Sequence, residues 1–490
     1  GYFKIIARRK KMKKRIICGI VSLICAFSCV ACSGGNDSQD NPNGEWWETT
    51  GTLNTDENGK VVFEDVEIRL TTVVTGQDEE PLRQLVNLFN AEHRGEINVI
   101  VDNVDQNSYE TNVASRISNN SNAPDLLMSH QKGHQSFVEN RLIQPFNEGM
   151  EAFGITFDMD DYAPGFAQYT SLGFEDYLFG VPVDAQSMVI FYNKQLLNRL
   201  GEELPGNREE LIALCQKAAA ELNITPIAWP TGLNFFSLYA FPTAIVQNGG
   251  VFYDTETYKA DWYDDETNRT AFKNAIQSIR ELIYTDPQLA RHNESDTSIL
   301  QRFLEDEALF YFATPWALES VLNAYATQHN LDLDTTIADY VGGTSMAGWF
   351  AMTENENANK IFGDSHFFAI SKTCTDINKK AAVCEFVRWF TQTGAVGATW
   401  AAAGHISASD VITSSSDYTE NVYVEKYINN FYSGLDNFVC IGNTPVYSDL
   451  SSQLTTLCVG AIGESDNSSD DLLIKTAQDN LNSVVDFIYM

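Results

Sequence analysis

Short runs of β-branched residues alternate with helical spacing between residues 66 and 146. VEIRLTTVV, INVIVDNVD and PDLLMSH are typical of buried strands. The segment after the first run, TGQDEEPLRQLVNLFNAEH, places apolar residues on one helical face at Leu82, Leu85, Leu88 and Phe89. Helical patterns also follow the second and third runs. Strands that alternate with helices predict right-handed crossovers and a mostly parallel α/β sheet.

The longest apolar strand pattern lies within residues 174–197, FEDYLFGVPVDAQSMVIFYNKQLL. A polar cluster at 184–187 follows Pro182, and the unbroken run MVIFY comes next. This pattern predicts a buried strand whose polar beginning opens into a cleft. Ligands of α/β sheets bind beyond the carboxyl ends of the strands, so the exit loops that contain Thr75, Ser129 and His130 are expected nearby.

The N-terminal 31 residues are typical of a targeting segment. Read from Met12, MKKRIICGIVSLICAFSCVAC has a basic start, an apolar stretch and small residues before Cys32. Residues 1–11 are interpreted as an upstream extension of the reading frame. CVAC resembles a bacterial lipobox, which implies a lipid-modified Cys32 as the mature N-terminus. The alternative is an uncleaved transmembrane anchor; the polar tether SGGNDSQDNPNGE that follows favours the lipid.

Removal of that segment makes an acidic chain more acidic. The 490 residues carry a formal net charge of −34, from 32 Lys and Arg against 66 Asp and Glu. Residues 1–31 hold eight basic and no acidic residues, so the mature chain has 32 − 8 = 24 basic residues and a formal charge of −42. Such a surface repels nucleic acid and anionic lipid headgroups. We therefore expect no nucleic-acid partner.

The cysteines argue against a disulfide framework and a zinc site. Five of the nine follow Cys32, and they have neither CxxC spacing nor histidine partners in sequence. Most are expected to be buried, unreactive thiols. We expect no metal and no cofactor.

Four segments carry a resemblance to a known family. They are GVPVDAQSMVIFYNKQLL, PDLLMSHQ with FVENRLIQPF, ALFYFATPWALESV, and the fifty-residue stretch that contains DSHFFAISK and AAAGHISASDVI. They resemble carbohydrate-binding extracellular solute-binding proteins, the maltose-binding-protein-like lipoproteins of ABC importers. The resemblance implies an α/β, two-lobe, periplasmic-binding-protein-like (type II) fold with a hinge and an interlobe cleft.

The resemblance also implies a domain organisation. The signal peptide occupies 1–31, and a tether with a small N-terminal addition occupies 32–64. Lobe 1 comprises 66–185 plus 365–412, and lobe 2 comprises 186–364 plus 413–490.

A sugar ring stacks its apolar face on an aromatic side chain, while its hydroxyls bind amides and carboxylates. Asp184 and Gln186 are the predicted partners of hydroxyls, and Trp316 and Trp229 are the predicted stacking platforms. The alternative interpretation of either tryptophan is an ordinary core residue. The alternative for His130 is a histidine in a surface loop. Further predicted contacts are Asn234, Ser129, His130, Tyr447 and Thr75.

The predicted function is capture without catalysis. A monomeric lipoprotein on the outer face of the bacterial cell membrane would bind an oligosaccharide and pass it to an ABC transporter permease. One alternative keeps the fold but binds a polyamine or a phosphorylated compound. The other is a lipid-anchored glycoside hydrolase that uses Asp184, although the mature chain has no GxSxG, HExxH or P-loop pattern.

Overall fold

The computed structural model describes residues 46–232, 235–442 and 444–489. The predicted signal peptide and Cys32 lie outside the described residues. Among the helices of the described ranges, none has both the length and the apolar character needed to cross a membrane.

The described strands are short and form a six-stranded sheet, a four-stranded sheet and two pairs. The strands are β1 (Val66–Thr72), β2 (Ile97–Asn103), β3 (Leu126–His130), β4 (Ile143–Gln144), β5 (Val181–Pro182), β6 (Asp184–Ala185), β7 (Val189–Asn193), β8 (Ile227–Ala228), β9 (Phe310–Ala313), β10 (Val341–Thr344), β11 (Ile361–Gly363), β12 (His366–Ser371), β13 (Ile406–Ser407) and β14 (Phe438–Cys440). The two pairs are β6 with β13 and β11 with β14.

Helices of six residues or more surround the sheets. They are α1 (Glu79–Glu92), α2 (Tyr109–Ser118), α3 (His134–Glu139), α4 (Asn147–Phe153), α5 (Lys194–Leu200), α6 (Arg208–Leu222), α7 (Phe241–Gln247), α8 (Glu266–Tyr284), α9 (Asp296–Leu304), α10 (Leu318–His329), α11 (Ile377–Gln392), α12 (Gly394–Ala402), α13 (Tyr447–Ile462) and α14 (Asp470–Tyr489).

The first sheet has the order β2-β1-β3-β12-β4, with β5 also paired to β12. Strand β1 runs parallel to β2 and β3, as the alternating pattern predicts. Strand β12 runs antiparallel to β3, and His366 pairs with His130. The prediction of a mostly parallel sheet is therefore wrong for β12. The chain re-enters at the carboxyl end of β3, so β12 has to run the other way.

The second sheet has the order β10-β7-β9-β8. Its central strand β7 is the buried strand predicted from MVIFY. It pairs antiparallel with both β9 and β10, and β8 pairs parallel with β9.

Residues of the first sheet belong mainly to two hydrophobic clusters, and those of the second sheet belong to a third. The first sheet packs against α1, α11 and α12, and the second packs against α6, α8 and the C-terminal helices. On α1, the predicted apolar face is confirmed for Leu82, Leu85 and Phe89, but Leu88 is 48% exposed. Leu88 lies beside the buried stripe rather than on it, because a helix advances about 100° per residue.

Three segments of chain meet between the sheets. Strand β6 pairs antiparallel with β13, Asp184 opposite Ser407 and Ala185 opposite Ile406. On the other side, Gln186 forms a bridge with Asp364 through two backbone hydrogen bonds. The linking segments 183–188 and 363–366 and the strand at 406–407 therefore form one small junction.

The described N-terminal residues lie against the first sheet. Trp46 and Trp47 pack against Phe179, and the Trp46 indole N–H donates to the carbonyl of Ile143 at 2.9 Å. A turn that contains Asn58 and Gly59 follows, with Thr55 bridged antiparallel to Val61. These contacts fix the entry of the chain at the first sheet.

Candidate functional site

A small crevice lies where the two sheets face each other. Its polar lining consists of Lys132, Tyr239, Asp364 and Tyr447, and Leu238, Phe362, Gly363 and Ile441 complete it. Lys132 follows β3 of the first sheet, whereas Tyr447 begins α13, which packs with the second. The Lys132 Nζ atom lies 4.4 Å from the ring centre of Tyr447. The two sides are thus in contact through a cation and an aromatic ring.

An ion pair forms the floor of the crevice. Lys132 Nζ lies 2.5 Å from Asp364 Oδ2, and His130 Nδ1 lies 3.1 Å from the same oxygen. Burial favours the uncharged forms of Lys132 and Asp364, but the attraction between their charges outweighs burial. It holds the pKa of Asp364 well below its usual range and raises that of Lys132 well above it. The crevice therefore presents a charged acceptor and a charged donor.

His130 behaves differently from its two charged neighbours. Burial, the largest effect, lowers its pKa to about 4, and the opposing attraction of Asp364 does not restore it. The imidazole is neutral at pH 7. Its contact with Asp364 therefore adds a polar neighbour without a second positive charge.

Two half-buried aromatic rings lie on the second-sheet side. The rings of Phe235 and Trp316 meet edge to face with centroids 5.3 Å apart. Trp316 lies in the turn Pro315–Ala317 after β9, and Phe235 precedes the helical turn Phe236–Ala240, which carries Tyr239 to the crevice. Next to the tryptophan, the backbone of Pro315 approaches Gly404. The aromatic pair thus lies beside the third segment of the junction.

A buried polar network lies at the junction itself. Asp184 accepts hydrogen bonds from the backbone N–H of His366 at 3.0 Å and from the Trp400 indole at 2.7 Å. Its Oδ2 atom is 2.9 Å from His366 Nδ1 and 3.4 Å from His405 Nδ1. Burial would raise the pKa of Asp184, but the two imidazoles outweigh burial and hold it at about 2. This carboxylate is ionised and enclosed.

The sequence of residues 75–397 matches the model of the bacterial extracellular solute-binding protein family. The chain belongs to this family. Because the family is extracellular, the chain is an exported solute-binding protein.

Solved structures of solute-binding proteins have the same fold. The GacH receptor of Streptomyces glaucescens GLA.O has a TM-score of 0.64 at 16% identity and covers 87% of this chain and 98% of its own. Maltose-bound MalE3 of T. maritima has a TM-score of 0.64 at 17% identity, with 86% and 100% covered. A cyclic α-maltosyl-1,6-maltose binding protein from Arthrobacter globiformis has a TM-score of 0.63 at 17% identity, with 86% and 99% covered. The two-lobe, type II periplasmic-binding fold predicted from the sequence is confirmed.

A curated relative covers a shorter stretch. The sn-glycerol-3-phosphate-binding periplasmic protein UgpB of Salmonella typhimurium is 25% identical over 150 residues, 30% of this chain and 33% of the relative. UgpB of Escherichia coli K12 matches to the same extent. The chain matches about a third of the length of these relatives.

In this solute-binding protein, Asp184 and Gln186 do not face the crevice. Asp184 is 0% exposed, and its carboxylate is occupied by protein partners. Gln186 is buried, and its backbone pairs with Asp364. The expectation that both bind hydroxyls is corrected: polarity at the start of the strand reflects partners inside the junction rather than exposure to a ligand.

The predicted ligand contacts at Trp229 and Ser129 are also corrected. Trp229 is 0% exposed between Phe236 and Phe312, and its indole N–H donates to the carbonyl of Arg291 at 2.9 Å. It has no ring face free to stack on a sugar. Ser129 is buried, and its hydroxyl lies 2.8 Å from His134 Nε2.

The other predicted contacts remain predictions. Tyr447 lines the crevice, His130 borders its ion pair, and Trp316 is half-buried beside the junction. Thr75 is exposed after β1. Asn234 lies outside the described residues.

Sequence reasoning missed Lys132, Tyr239 and Asp364 as lining residues, and His366 and His405 as members of the network. The available signal was the distribution of histidine. Four of the seven histidines of the chain fall in SHQKGH, DSH and GH, segments that adjoin the predicted crossings between lobes. A scarce residue concentrated at crossings indicates a shared polar site.

Proposed function

We propose that this protein captures a carbohydrate, an oligosaccharide in particular, between its lobes and delivers it unchanged to the permease of an ABC importer. The observation that carries the proposal is the Lys132–Asp364 ion pair beside the rings of Tyr239 and Tyr447. Hydroxyls need charged or amide hydrogen-bond partners, and the apolar face of a sugar ring needs an aromatic surface. The crevice supplies both, from opposite sides.

Binding would work by closure of the lobes. Lobe 1 would comprise 66–185 plus 365–412, and lobe 2 would comprise 186–364 plus 413–490. A ligand that contacts Lys132 on one side and Tyr447 on the other favours the closed arrangement, because it binds both surfaces only when they are together. The permease would then recognise the closed form.

A phosphorylated solute is the second candidate, favoured by the curated relatives named for sn-glycerol-3-phosphate. The crevice argues against it. Among the described residues that line the crevice, Lys132 is the one basic side chain, and Asp364 already neutralises it. A phosphate group would have to displace that carboxylate to gain the charge-assisted bonds it needs.

The protein would be anchored through a lipid on Cys32, would act as a monomer, and would catalyse no reaction. Packing of Trp46 and Trp47 on the first sheet supports a tether that joins lobe 1.

The test is a thermal-shift screen of the full chain, purified in detergent, against malto-oligosaccharides, other oligosaccharides and sn-glycerol-3-phosphate. Native-state binding raises the unfolding temperature by linkage. Thin-layer chromatography of each mixture then shows whether the sugar is intact. A shift with intact sugar supports the proposal. A shift with sn-glycerol-3-phosphate alone would transfer it to phosphorylated solutes, and cleaved sugar would overturn it.

Two variants tie binding to the crevice. Tyr447→Ala and Lys132→Met should weaken the shift caused by the sugar. Phe487→Ala is the matched aromatic control, because Phe487 is 74% exposed on α14. Equal shifts in all three variants would place the ligand elsewhere.

A further inference from the structure

Asp184, His366 and His405 bring three potential metal ligands together. Their ligand atoms all lie within 4.8 Å of one another, and all three side chains are buried. Asp184 Oδ2 is 2.9 Å from His366 Nδ1 and 3.4 Å from His405 Nδ1. Ligands on one tetrahedral zinc ion, with bonds of about 2.0–2.2 Å, lie roughly 3.3–3.6 Å apart. Both separations from Asp184 lie near this range.

Asp78 orients one of the imidazoles. Asp78 occupies the N-cap position of α1, where an aspartate normally accepts a hydrogen bond from the first helical turn, but its side chain makes no capping bond. Its Oδ2 atom lies 3.1 Å from His405 Nε2 instead. A carboxylate on the far nitrogen is the usual support of a metal-binding histidine, since it fixes the tautomer and directs the other nitrogen at the ion.

The other ring nitrogen of His405, Nδ1, lacks a hydrogen bond among the described residues. In the tautomer that donates from Nε2 to Asp78, the Nδ1 atom of His405 carries the lone pair. That atom is buried and has no hydrogen-bond partner among the described residues, although the Oδ2 atom of Asp184 lies 3.4 Å away. In that tautomer the lone pair of Nδ1 lies close to a carboxylate oxygen, and a cation bound between the two would offset their repulsion. Asp78 and Asp184 also bring two negative charges that one divalent cation balances.

We propose that Asp184, His366 and His405 bind a first-row divalent cation, with zinc the best match to two imidazoles and one carboxylate. Asp78 is the positioning residue of this site. The sequence expectation of no metal rested on the cysteines, and the cluster uses none of them. Its members lie far apart in sequence and meet only at the junction.

The location gives the ion a mechanical role. Asp184 belongs to β6, His366 begins β12, and His405 directly precedes β13. These are the three segments that meet between the sheets. An ion bound to all three ties them together independently of any ligand in the crevice.

The competing arrangement is a proton in place of the metal. His405 as an imidazolium would bridge Asp78 and Asp184 and satisfy both carboxylates. The two states differ in metal content, so the experiment separates them directly.

The test uses the full chain without a histidine tag, purified in detergent. Elemental analysis should find about one zinc per chain. After removal of the metal with a chelator, added Zn²⁺ should raise the unfolding temperature, and added Co²⁺ should give the visible absorption of a tetrahedral site. His366→Gln and His405→Gln should abolish the Co²⁺ spectrum. Asp78→Asn should weaken affinity roughly 10- to 100-fold while keeping the spectrum.

His93→Gln is the matched control. His93 also pairs with a carboxylate, Glu385, at 3.2 Å, but it lies outside the cluster. This variant should bind the metal like wild type. Wild-type protein that contains no metal, and gains neither a thermal shift nor a spectrum when Zn²⁺ or Co²⁺ is added, would overturn the proposal. Unchanged binding in Asp78→Asn and in both histidine variants would do the same.

Discussion

Lys132 and Asp364 lie 2.5 Å apart, and each side chain is at most 15% exposed. Removal of one partner leaves the other charged and enclosed, which typically costs about 3–5 kcal/mol. We expect Asp364→Asn to lower the free energy of unfolding by that amount in chemical denaturation. The double variant Lys132→Met/Asp364→Asn should lose less than the sum of the single losses. Additive losses would show that the pair is not coupled.

Trp316 should contribute to ligand affinity more than to stability, because its ring is half-buried beside the junction. Loss of a stacking ring costs about 1 kcal/mol or more. With the sugar found by the thermal-shift screen, Trp316→Ala should raise Kd about fivefold or more in calorimetry. A normally folded Trp316→Ala protein with wild-type Kd would remove Trp316 from the site.

Trp229 should contribute to stability more than to ligand affinity. Its ring is enclosed by Phe236 and Phe312, and truncation of a buried tryptophan costs about 3–5 kcal/mol. We expect Trp229→Ala to lose stability by this amount in denaturant titration. If this variant were as stable as wild type and bound sugar poorly, the correction of Trp229 to a core residue would be wrong.

Gly404 permits a close approach between the third segment and the turn that holds Trp316. Its φ is +104°, and an added Cβ would collide with the backbone of Pro315. Gly404→Ala should therefore cost about 2 kcal/mol or more and weaken sugar binding. Gly434→Ala separates strain from collision, since Gly434 has a φ of +83° with no atom within 4 Å of the added Cβ. Equal effects of the two substitutions on binding would argue against the contact.

His134 should make stability depend on pH. Burial, reinforced by His130, lowers its pKa to about 3, from an ordinary value of 6.5. The neutral ring therefore contributes stability that is fully present above pH 6.5 and is lost as the pH falls from there toward 3. Between pH 7 and pH 5 the loss is about 2 kcal/mol, at 1.36 kcal/mol per pH unit.

The measurement for His134 is urea denaturation at both pH values. Wild type should lose about 2 kcal/mol more than His134→Gln between pH 7 and pH 5. The comparison with the variant cancels other groups that titrate in this range. An equal loss in both proteins would show that His134 is not buried in its neutral form.

The sequence predicts the elements well because their signals are local. The strand of MVIFY and the buried stripe of Leu82, Leu85 and Phe89 follow from periodicity within a few residues. The site depends on contacts over long separations. Asp184 meets His366 after 182 residues and Trp400 after 216. No local pattern distinguishes a polar residue that faces a ligand from one that faces buried partners.

The sequence also could not separate the two predicted stacking tryptophans. Trp229 and Trp316 both follow short strands and adjoin a proline, so their sequence surroundings are alike. Only packing separates them: Phe236 and Phe312 enclose the first, whereas the second ends half-buried against Phe235.

The pairing of β6 with β13 and the bridge from Gln186 to Asp364 have a consequence for how the molecule bends. Two short strands and the bridged Asp364 lie side by side, and they twist as a unit because none can rotate without breaking its neighbours' hydrogen bonds. We therefore expect the two halves to rotate relative to each other mainly about this junction.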